Sequence, residues 1–321
     1  MKRRSLIVAM PGLALWPARP WAQADTKPWR IAFLAAGGRP RPGQFSTFDK
    51  VIAGLRDRGH ASLQAQAWYA EGRADALPKL AEQVLDWQPA LIVTNLTPAA
   101  LAAQRATKNI PILMAGAGDP VATGLVQSLA RPGGNVSGVS ALGPELAAKS
   151  LELLRELRPG LRRVGVLANA TDSFTPTMLA SMDSAARQLE LQLQVEQVRE
   201  PGQYAAAFEG WKRQRIEAVF VQPSLPGRPA ADLALQHGLP SCSFVRSFVE
   251  QGGLLGYAND LAEIARLVTD MADRVLRGAL PANMPVQQNT RFDLLINLRT
   301  AAALGIKVPD NVRSRATALI K

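Results

Sequence analysis

The strongest constraint on the fold is an alternation of short apolar runs with longer amphipathic stretches along the chain. Residues 31–34, 63–69 and 91–93 have the length and the apolar character of buried strands. The stretches between them have helical length, and in residues 77–87 the apolar side chains recur on one helical face. Strands that alternate with helices predict parallel β-sheets covered by helices on both faces.

The alternation starts again in the second half of the chain. The sequence RVGVLA at 163–168 is similar to RIAFLA at 30–35, and AVFVQP at 218–223 is similar to LIVTNL at 91–96. Because the order and spacing of the elements also repeat, we predict an α/β protein with two doubly wound parallel-sheet lobes of one topology. The chain has 321 residues, which is enough for two such lobes.

The C-terminal part of the chain is too short to form a third domain. A long helix is predicted near 261–277 and a strand at 292–298, and both must add to the two lobes. The chain then crosses between the lobes several times, and such a hinge lets two lobes close on a ligand. The predicted crossovers lie near Ser140, Tyr257 and Gln287, with an N-terminal lobe of 25–140 plus 258–286 and a C-terminal lobe of 141–257 plus 287–321.

The first 24 residues have the three-part layout of a secretory signal peptide. A basic start, Met1-Lys2-Arg3-Arg4, precedes an apolar run at 5–16, and Ala22-Gln23-Ala24 provides a small-x-small cleavage pattern. The run is too short to span a bilayer, and no later apolar run is long enough. We predict a soluble periplasmic protein that begins near Asp25, exported by the general secretory pathway or, given Arg3-Arg4, by the twin-arginine pathway.

The net charge of +11 does not indicate a nucleic-acid partner. Four positive charges fall in the predicted leader, and the other Lys and Arg residues are interspersed with acids rather than gathered in a basic run with aromatics. Cys242 is the only cysteine, so a disulfide within the chain is excluded. These charges are predicted to lie on a solvated surface.

The residue types that carry catalysis do not form a recognisable pattern. The two histidines, His60 and His237, each follow a predicted helix and precede or follow a glycine, which is typical of surface or C-cap positions. His, Cys and Asp residues do not cluster with metal-ligand spacing, and a Gly-x-Ser-x-Gly elbow is absent. We therefore predict a binding protein that is not an enzyme and uses no cofactor or metal.

The stretch GDPVATGLVQSLARPGGNVSGVS at 118–140 resembles the signature of the ABC-transporter substrate-binding protein family with a type I periplasmic-binding fold. This family includes tryptophan- and tyrosine-binding members. Four further stretches agree in the expected order: YAEGR at 69–73, LELLREL at 151–157, RVGVLAN at 163–169 and FDLLINLRTA at 292–301. The resemblance covers nearly the whole predicted mature chain.

The resemblance implies a monomeric periplasmic component of an ABC importer. It implies a small-molecule ligand in the cleft, an amino acid or a related compound, with aromatic ones among the options, and a permease and an ATPase as partners at the inner membrane. Small peptides, purines and aliphatic acids also stay open as ligands. A periplasmic sensor that feeds a membrane receptor is the alternative, and neighbouring genes for a permease and an ATPase would favour transport.

Ligands of open parallel sheets bind at the carboxyl ends of the strands, beside helix N-termini. Thr97 is the predicted N-cap of the helix that follows the strand at 91–93. Either the free N–H groups of this helix hold a ligand carboxylate, or Thr97 only caps the helix. Asp119 either accepts a ligand ammonium or, as we favour, caps a helix that begins at Pro120-Val121. The aromatic residues among the candidates either stack on a flat ligand or belong to the core. The candidate ligand-binding residues are Phe45, Ser46, Asn95, Thr97, Asp119, Asn169, Phe174, Ser224 and Tyr257.

Overall fold

A computed structural model describes residues 28–321, and within this range the chain forms two β-sheets flanked by helices. The strands are β1 (Trp29–Ala35), β2 (Leu63–Tyr69), β3 (Leu91–Asn95), β4 (Ile112–Ala117), β5 (Val136–Ser140), β6 (Arg163–Asn169), β7 (Gln192–Val198), β8 (Ala218–Val221), β9 (Ser241–Ser243), β10 (Leu255–Asn259), β11 (Gln287–Gln288), β12 (Phe292–Asn297) and β13 (Ala318–Ile320). The α-helices are α1 (Thr47–Asp57), α2 (Leu77–Asp86), α3 (Leu96–Ala106), α4 (Gly143–Leu157), α5 (Thr175–Gln188), α6 (Tyr204–Arg213), α7 (Gly227–Gln236), α8 (Arg246–Glu250), α9 (Leu261–Leu276), α10 (Leu298–Ala303) and α11 (Asp310–Arg313).

The two sheets have closely related topologies. The first has the order β11-β5-β4-β3-β1-β2 with parallel pairing, and the second has the order β13-β12-β10-β9-β8-β6-β7. In the second sheet the β10–β12 pair is antiparallel and the other pairs are parallel. The prediction of an α/β fold with two doubly wound, mainly parallel sheets is confirmed.

The first lobe depends on a helix from late in the chain. Helix α9 has an apolar face, and it packs on α1 and against β4 and β5. Val268 and Ala272 of this face are fully buried in one core with Ile31 and Leu55. Asp260 caps α9 by accepting hydrogen bonds from the amides of Ala262 and Glu263. The chain therefore returns to complete a core that its first 140 residues leave open on one face.

The second lobe buries its largest side chains under α6. Tyr204, Phe208 and Trp211 are fully buried against the sheet face opposite the one that α4 and α5 cover. Full burial of such a side chain stabilises a fold by about 1.5–3 kcal/mol. A Cβ at Gly165 of β6 would lie 2.8 Å from the Trp211 ring, so the indole requires a glycine beneath it.

The chain passes between the sheets after β5, after β10 and around β11, and buried asparagines connect these passages. Asn259 at the end of β10 donates from Nδ2 to the carbonyl oxygen of Ala141 at 3.2 Å. Asn289, just after β11, donates from Nδ2 to Oδ1 of Asn259 at 2.7 Å and also to the carbonyl of Arg291. We call Ala141, Asn259 and Asn289 the crossover network, which joins all three passages by side-chain hydrogen bonds.

The structure differs from the predicted division at two points. Residues 258–259 complete β10 of the second sheet, although they were assigned to the N-terminal lobe. Residues 287–288 form β11, which pairs with β5 in the first sheet, although they were assigned to the C-terminal lobe. The predicted signal peptide at 1–24 lies outside the described residues. Within 28–321, none of the helices combines the length and the apolar character needed to cross a bilayer.

Candidate ligand-binding cleft

The carboxyl ends of the strands in both sheets border one cleft. It holds a cavity of about 230 Å³, which we call the aromatic compartment. The first lobe contributes residues that follow β1 to β5, and the second lobe contributes residues that follow β8 and β9. Ligands of open α/β sheets bind at this position, because helix N-termini and irregular backbone converge there.

Aromatic side chains form much of the first-lobe wall of the aromatic compartment. Phe33, Phe45 and Tyr69 line it, and Phe244 lines it from the second lobe. The ring centroids of Phe33 and Tyr69 lie 6.1 Å apart in an edge-to-face arrangement, and the Arg39 guanidinium lies 5.3 Å from the Tyr69 ring centroid. Burial raises the pKa of Tyr69, so its phenol is neutral at physiological pH. This wall suits a flat apolar group.

Charged side chains from α8 face the same compartment from the second lobe. Glu250 is half-buried, and burial raises the pKa of its carboxyl, although Arg246 nearby lowers it. Arg246 pairs with Asp293 at 2.8 Å and lies 3.8 Å from Glu250. Across the cleft, Gln44 of the first lobe donates from Nε2 to Oε2 of Glu250 at 3.2 Å. The two lobes are therefore already in contact at the carboxylate of Glu250. The guanidinium of Arg246 lies 3.8 Å from this carboxylate and pairs more closely with Asp293.

Three helices begin at the aromatic compartment, through Thr47 of α1, Leu96 of α3 and Leu261 of α9. Ser46 caps α1 by accepting a hydrogen bond from the Asp49 amide at 3.1 Å, and α9 also has a side-chain cap. Within the described chain, α3 has no side-chain cap, and Leu96 starts it with φ of 64°. Pro98 in the first turn of α3 has no N–H, so the groups that this turn offers to an anion are the amides of Leu96 and Thr97 and the partial positive charge of the helix end.

The structure brings three of the predicted residues to this compartment. Phe45 and Asn95 line the cavity. Ser46 lies between two lining residues, where its hydroxyl is occupied as the cap of α1. Asn95 ends β3, and Phe45 and Ser46 lie in the loop between β1 and α1, as the apolar runs predicted.

Two predicted caps differ from the structure. Thr97 is the second residue of α3 rather than its N-cap, which is Asn95, and Thr97 is buried with Oγ1 accepting from the Gly118 amide at 3.0 Å. Asp119 lies outside the cavities at the cleft and accepts hydrogen bonds from the amides of Val121 and Ala122. These bonds close a series of turns, and the α-helix predicted after Asp119 is absent from this described segment.

Asn169 and Ser224 belong to a buried polar cluster of the second lobe. The backbone amide of Asn169 donates to Oε1 of Gln222 at 2.8 Å, and the side-chain Nδ2 of Asn169 donates to Oγ of Ser224 at 3.2 Å. Gln222 donates in turn to Asp172 at 3.0 Å, and burial raises the pKa of this carboxyl, although hydrogen bonds from Ser224, Phe174 and Gln222 lower it. The hydrogen bonds of Asn169 are all made to residues of the second lobe, so we infer that Asn169 stabilises this lobe.

Phe174 and Tyr257 do not line the aromatic compartment. Phe174 is buried between the lobes, where a Cβ at Gly118 or Gly143 would lie within 3 Å of its ring. Tyr257 stacks on Phe292 within the second lobe, with ring centroids 5.5 Å apart. Neither residue forms a stacking surface in the aromatic compartment, because Tyr257 packs on Phe292 and the Phe174 ring is enclosed by Gly118 and Gly143.

Several lining residues were missed as individual candidates, among them Phe33, Gln44, Tyr69 and Glu250. Phe33 and Tyr69 belong to β1 and β2, where an aromatic residue is normally interpreted as part of the hydrophobic core. Arg246 and Glu250 are spaced i, i+4 directly after a strand, and this charged pair was the one available signal. It was obscured because α8 has only five residues.

A second cavity adjoins the aromatic compartment. It has a volume of about 180 Å³, and we call it the polar compartment. The two cavities share the glycines after β1 and part of α8 as lining, and the polar compartment also borders the start of α7. Ser224 lines this second cavity. The cleft is therefore longer than the aromatic compartment alone.

His60 and Cys242 do not line either compartment of the cleft. His60 pairs with Asp273 at 2.7 Å, beyond the end of α1 opposite the cleft. Cys242 is fully buried in β9, and burial raises the pKa of its thiol well above its usual range. Within residues 28–321, groups of three or more potential metal ligands are absent.

Comparisons with known proteins agree with this architecture. A family model described as ABC transporter substrate binding protein matches residues 41–320. The chain is 26% identical over 271 residues to a tyrosine-binding protein from Clostridioides difficile (strain R20291), covering 82% of this chain and 78% of that protein. A conserved domain protein from Vibrio cholerae has a similar structure, with a TM-score of 0.82, 25% identity and coverage of 91% of this chain and 100% of that one.

A further similar structure is an ABC domain in complex with L-Trp from Streptococcus pneumonia. Its TM-score is 0.80 at 24% identity, and the match covers 91% of this chain and 99% of that one. The expected α/β fold with two sheets is thus shared with both of these solved structures. Because the family model spans most of the sequence, this chain belongs to the ABC transporter substrate-binding protein family.

Proposed function

We propose that this protein is the periplasmic solute-binding component of an ABC importer and that it binds an aromatic amino acid or a close derivative. The observation that carries the proposal is the aromatic wall of Phe33, Phe45 and Tyr69, which faces the half-buried carboxylate of Glu250 across the cleft. A flat side chain and an ammonium group are the two features that such a pair recognises. The tyrosine-binding relative and the L-Trp complex support the same ligand class.

The ligand is oriented by charge at both ends of its backbone. Its ammonium group pairs with Glu250, taking the place of the Gln44 amide as hydrogen-bond donor. Its carboxylate accepts from the free amides in the first turn of α3, beside Asn95. Its ring lies on Phe45 and Tyr69. Candidate residues that serve packing in the structure, such as Asn169 and Phe174, support the cleft from behind.

Binding is coupled to closure of the lobes. A ligand that contacts α3 in the first lobe and Glu250 in the second stabilises the closed form, because only that form makes both sets of contacts. The closed form then presents both lobes to a membrane permease, which receives the ligand. The leader pattern at residues 1–24 supports export to the compartment where this exchange takes place.

A thermal-shift screen of the purified protein tests the proposal. We expect L-Tyr, L-Trp or L-Phe to raise the melting temperature in a concentration-dependent way, and aliphatic amino acids to raise it less. Phe45→Ala removes part of the aromatic wall and should weaken binding about tenfold to a hundredfold, because burial of a Phe side chain contributes about 1.5–3 kcal/mol.

Trp29→Ala is the matched control for this variant. Trp29 is an exposed aromatic residue at the opposite end of β1 from the cleft, so its truncation should leave ligand affinity unchanged. The proposal fails if millimolar aromatic amino acids leave the melting temperature unchanged. It also fails if Phe45→Ala and Trp29→Ala bind the ligand equally well.

A further inference from the structure

The polar compartment extends the cleft beyond the space that one amino acid fills. The aromatic compartment measures about 230 Å³ and the polar compartment about 180 Å³. Sites for small ligands usually enclose about 300–1,000 Å³, so neither compartment reaches that range alone and the two together do. Gly37 and Gly38 line both, so the two compartments adjoin along the loop after β1.

The first turn of α7 borders the polar compartment. This helix has ten residues, and its N-cap, Pro226, provides no side-chain cap from the described chain. Gly227 and Arg228 line the cavity at the helix start. Free amides and the positive end of a helix attract a carboxylate. Arg228 adds a positive charge, although it also pairs with Asp232 at 2.8 Å.

Ser243 provides an independent indication of a ligand in the polar compartment. It lines the cavity at the end of β9, its side chain is 1% exposed, and its Oγ has no hydrogen-bond partner among the described residues. A buried hydroxyl without a hydrogen-bond partner destabilises the folded protein, so such groups usually have a role. Glu71 lines the opposite side, where its carboxylate accepts from the Arg39 amide at 3.2 Å.

We propose that the polar compartment is a second subsite, which binds a carboxylate-bearing unit joined to the aromatic residue, as in a dipeptide with an aromatic first residue. This inference rests on the proposed function, since the first residue occupies the aromatic compartment with its ammonium at Glu250. The peptide carbonyl then faces α3, and the terminal carboxylate accepts from α7 and from Ser243. A single amino acid leaves Ser243 and the start of α7 without partners.

Isothermal titration with three probes tests this subsite: L-tyrosine, L-tyrosyl-glycine and L-tyrosyl-glycinamide, which lacks the terminal carboxylate. We expect tyrosyl-glycine to bind about tenfold more tightly than either of the others, because a charge-assisted hydrogen bond and the helix terminus favour the carboxylate. Ser243→Ala should weaken tyrosyl-glycine about tenfold and leave tyrosine unchanged. Ser241→Ala is the control, since Ser241 is equally buried on β9 and lines neither compartment.

The outcomes separate this inference from the proposed function. If tyrosine binds as tightly as tyrosyl-glycine, or if Ser243→Ala weakens both ligands equally, the second subsite is refuted while the aromatic site stands. If the glycinamide binds as well as the free dipeptide, the carboxylate assignment is refuted. If none of the three probes binds, the proposed function fails together with the subsite.

Discussion

Replacing Asn289 by alanine tests whether the crossover network holds the lobes together. Asn289 is fully buried, and its Nδ2 donates to Oδ1 of Asn259 and to the carbonyl of Arg291. Alanine leaves Oδ1 of Asn259 buried without this donor, whereas the carbonyl of Arg291 belongs to an exposed residue and can bind water. A buried acceptor that loses its hydrogen-bond donor lowers the free energy of unfolding by about 1–3 kcal/mol.

The expected decrease in the free energy of unfolding is reduced by one compensating effect. Oδ1 of Asn289 has no hydrogen-bond partner among residues 28–321, so its removal relieves an existing penalty. We therefore expect Asn289→Ala to lower the free energy of unfolding by about 1–2 kcal/mol, measured by urea denaturation followed by circular dichroism. The midpoint should fall without a change in slope if both lobes still unfold together.

The control is Asn311→Ala, which removes the same side chain from an exposed position on α11. Surface changes of this kind usually alter stability by less than about 0.5 kcal/mol. A loss below that level for Asn289→Ala would refute the reasoning, because the buried acceptor on Asn259 would then have found another partner. Two separate unfolding transitions would instead show that the network is what makes the lobes cooperative.

Three further predictions concern the site and the core. Ligand affinity should fall as pH drops through the raised pKa of Glu250, because the ligand ammonium needs the ionised carboxylate, and Glu250→Gln should flatten that profile in titration calorimetry. Gly138→Ala should prevent folding, shown by a lost thermal transition, because φ is 131° and a Cβ would overlap the backbone of Met114 in β4. Cys242 should resist Ellman's reagent in the native protein and react in guanidinium, because burial raises its pKa and blocks access.

The sequence predicted the fold well because buried parallel strands leave a strong periodic signal. The apolar runs at 31–34 and 163–168 lie within β1 and β6, and the helix expected near 261–277 is α9. The two-residue strand β11 was missed, since a pair of glutamines has no apolar pattern. Its place in the first sheet depends on pairing with β5, a contact between residues far apart in sequence.

The cleft was harder to predict than the fold. Asn95 lines the aromatic compartment, and its position could be predicted because strand ends can be read from apolar runs, whereas Tyr257 does not line it. Side-chain direction alternates along a strand, so an error of one residue in register moves a candidate from the cleft to the opposite face. Glu250 owes its place to the packing of α8 against the second sheet, and that packing is not encoded within any short window.

The dependence of the first lobe on α9 has a consequence for how the chain reaches its native state. Most of the second lobe is synthesised between β5 and α9, so a ribosome-bound fragment that ends at Ser140 exposes the apolar face of β1, β3 and β4 that α9 later covers. The nascent first half therefore stays incomplete until the other half has emerged. Maturation of the two halves is coupled in time, and a premature stop anywhere before α9 yields an aggregation-prone product rather than a working half-molecule.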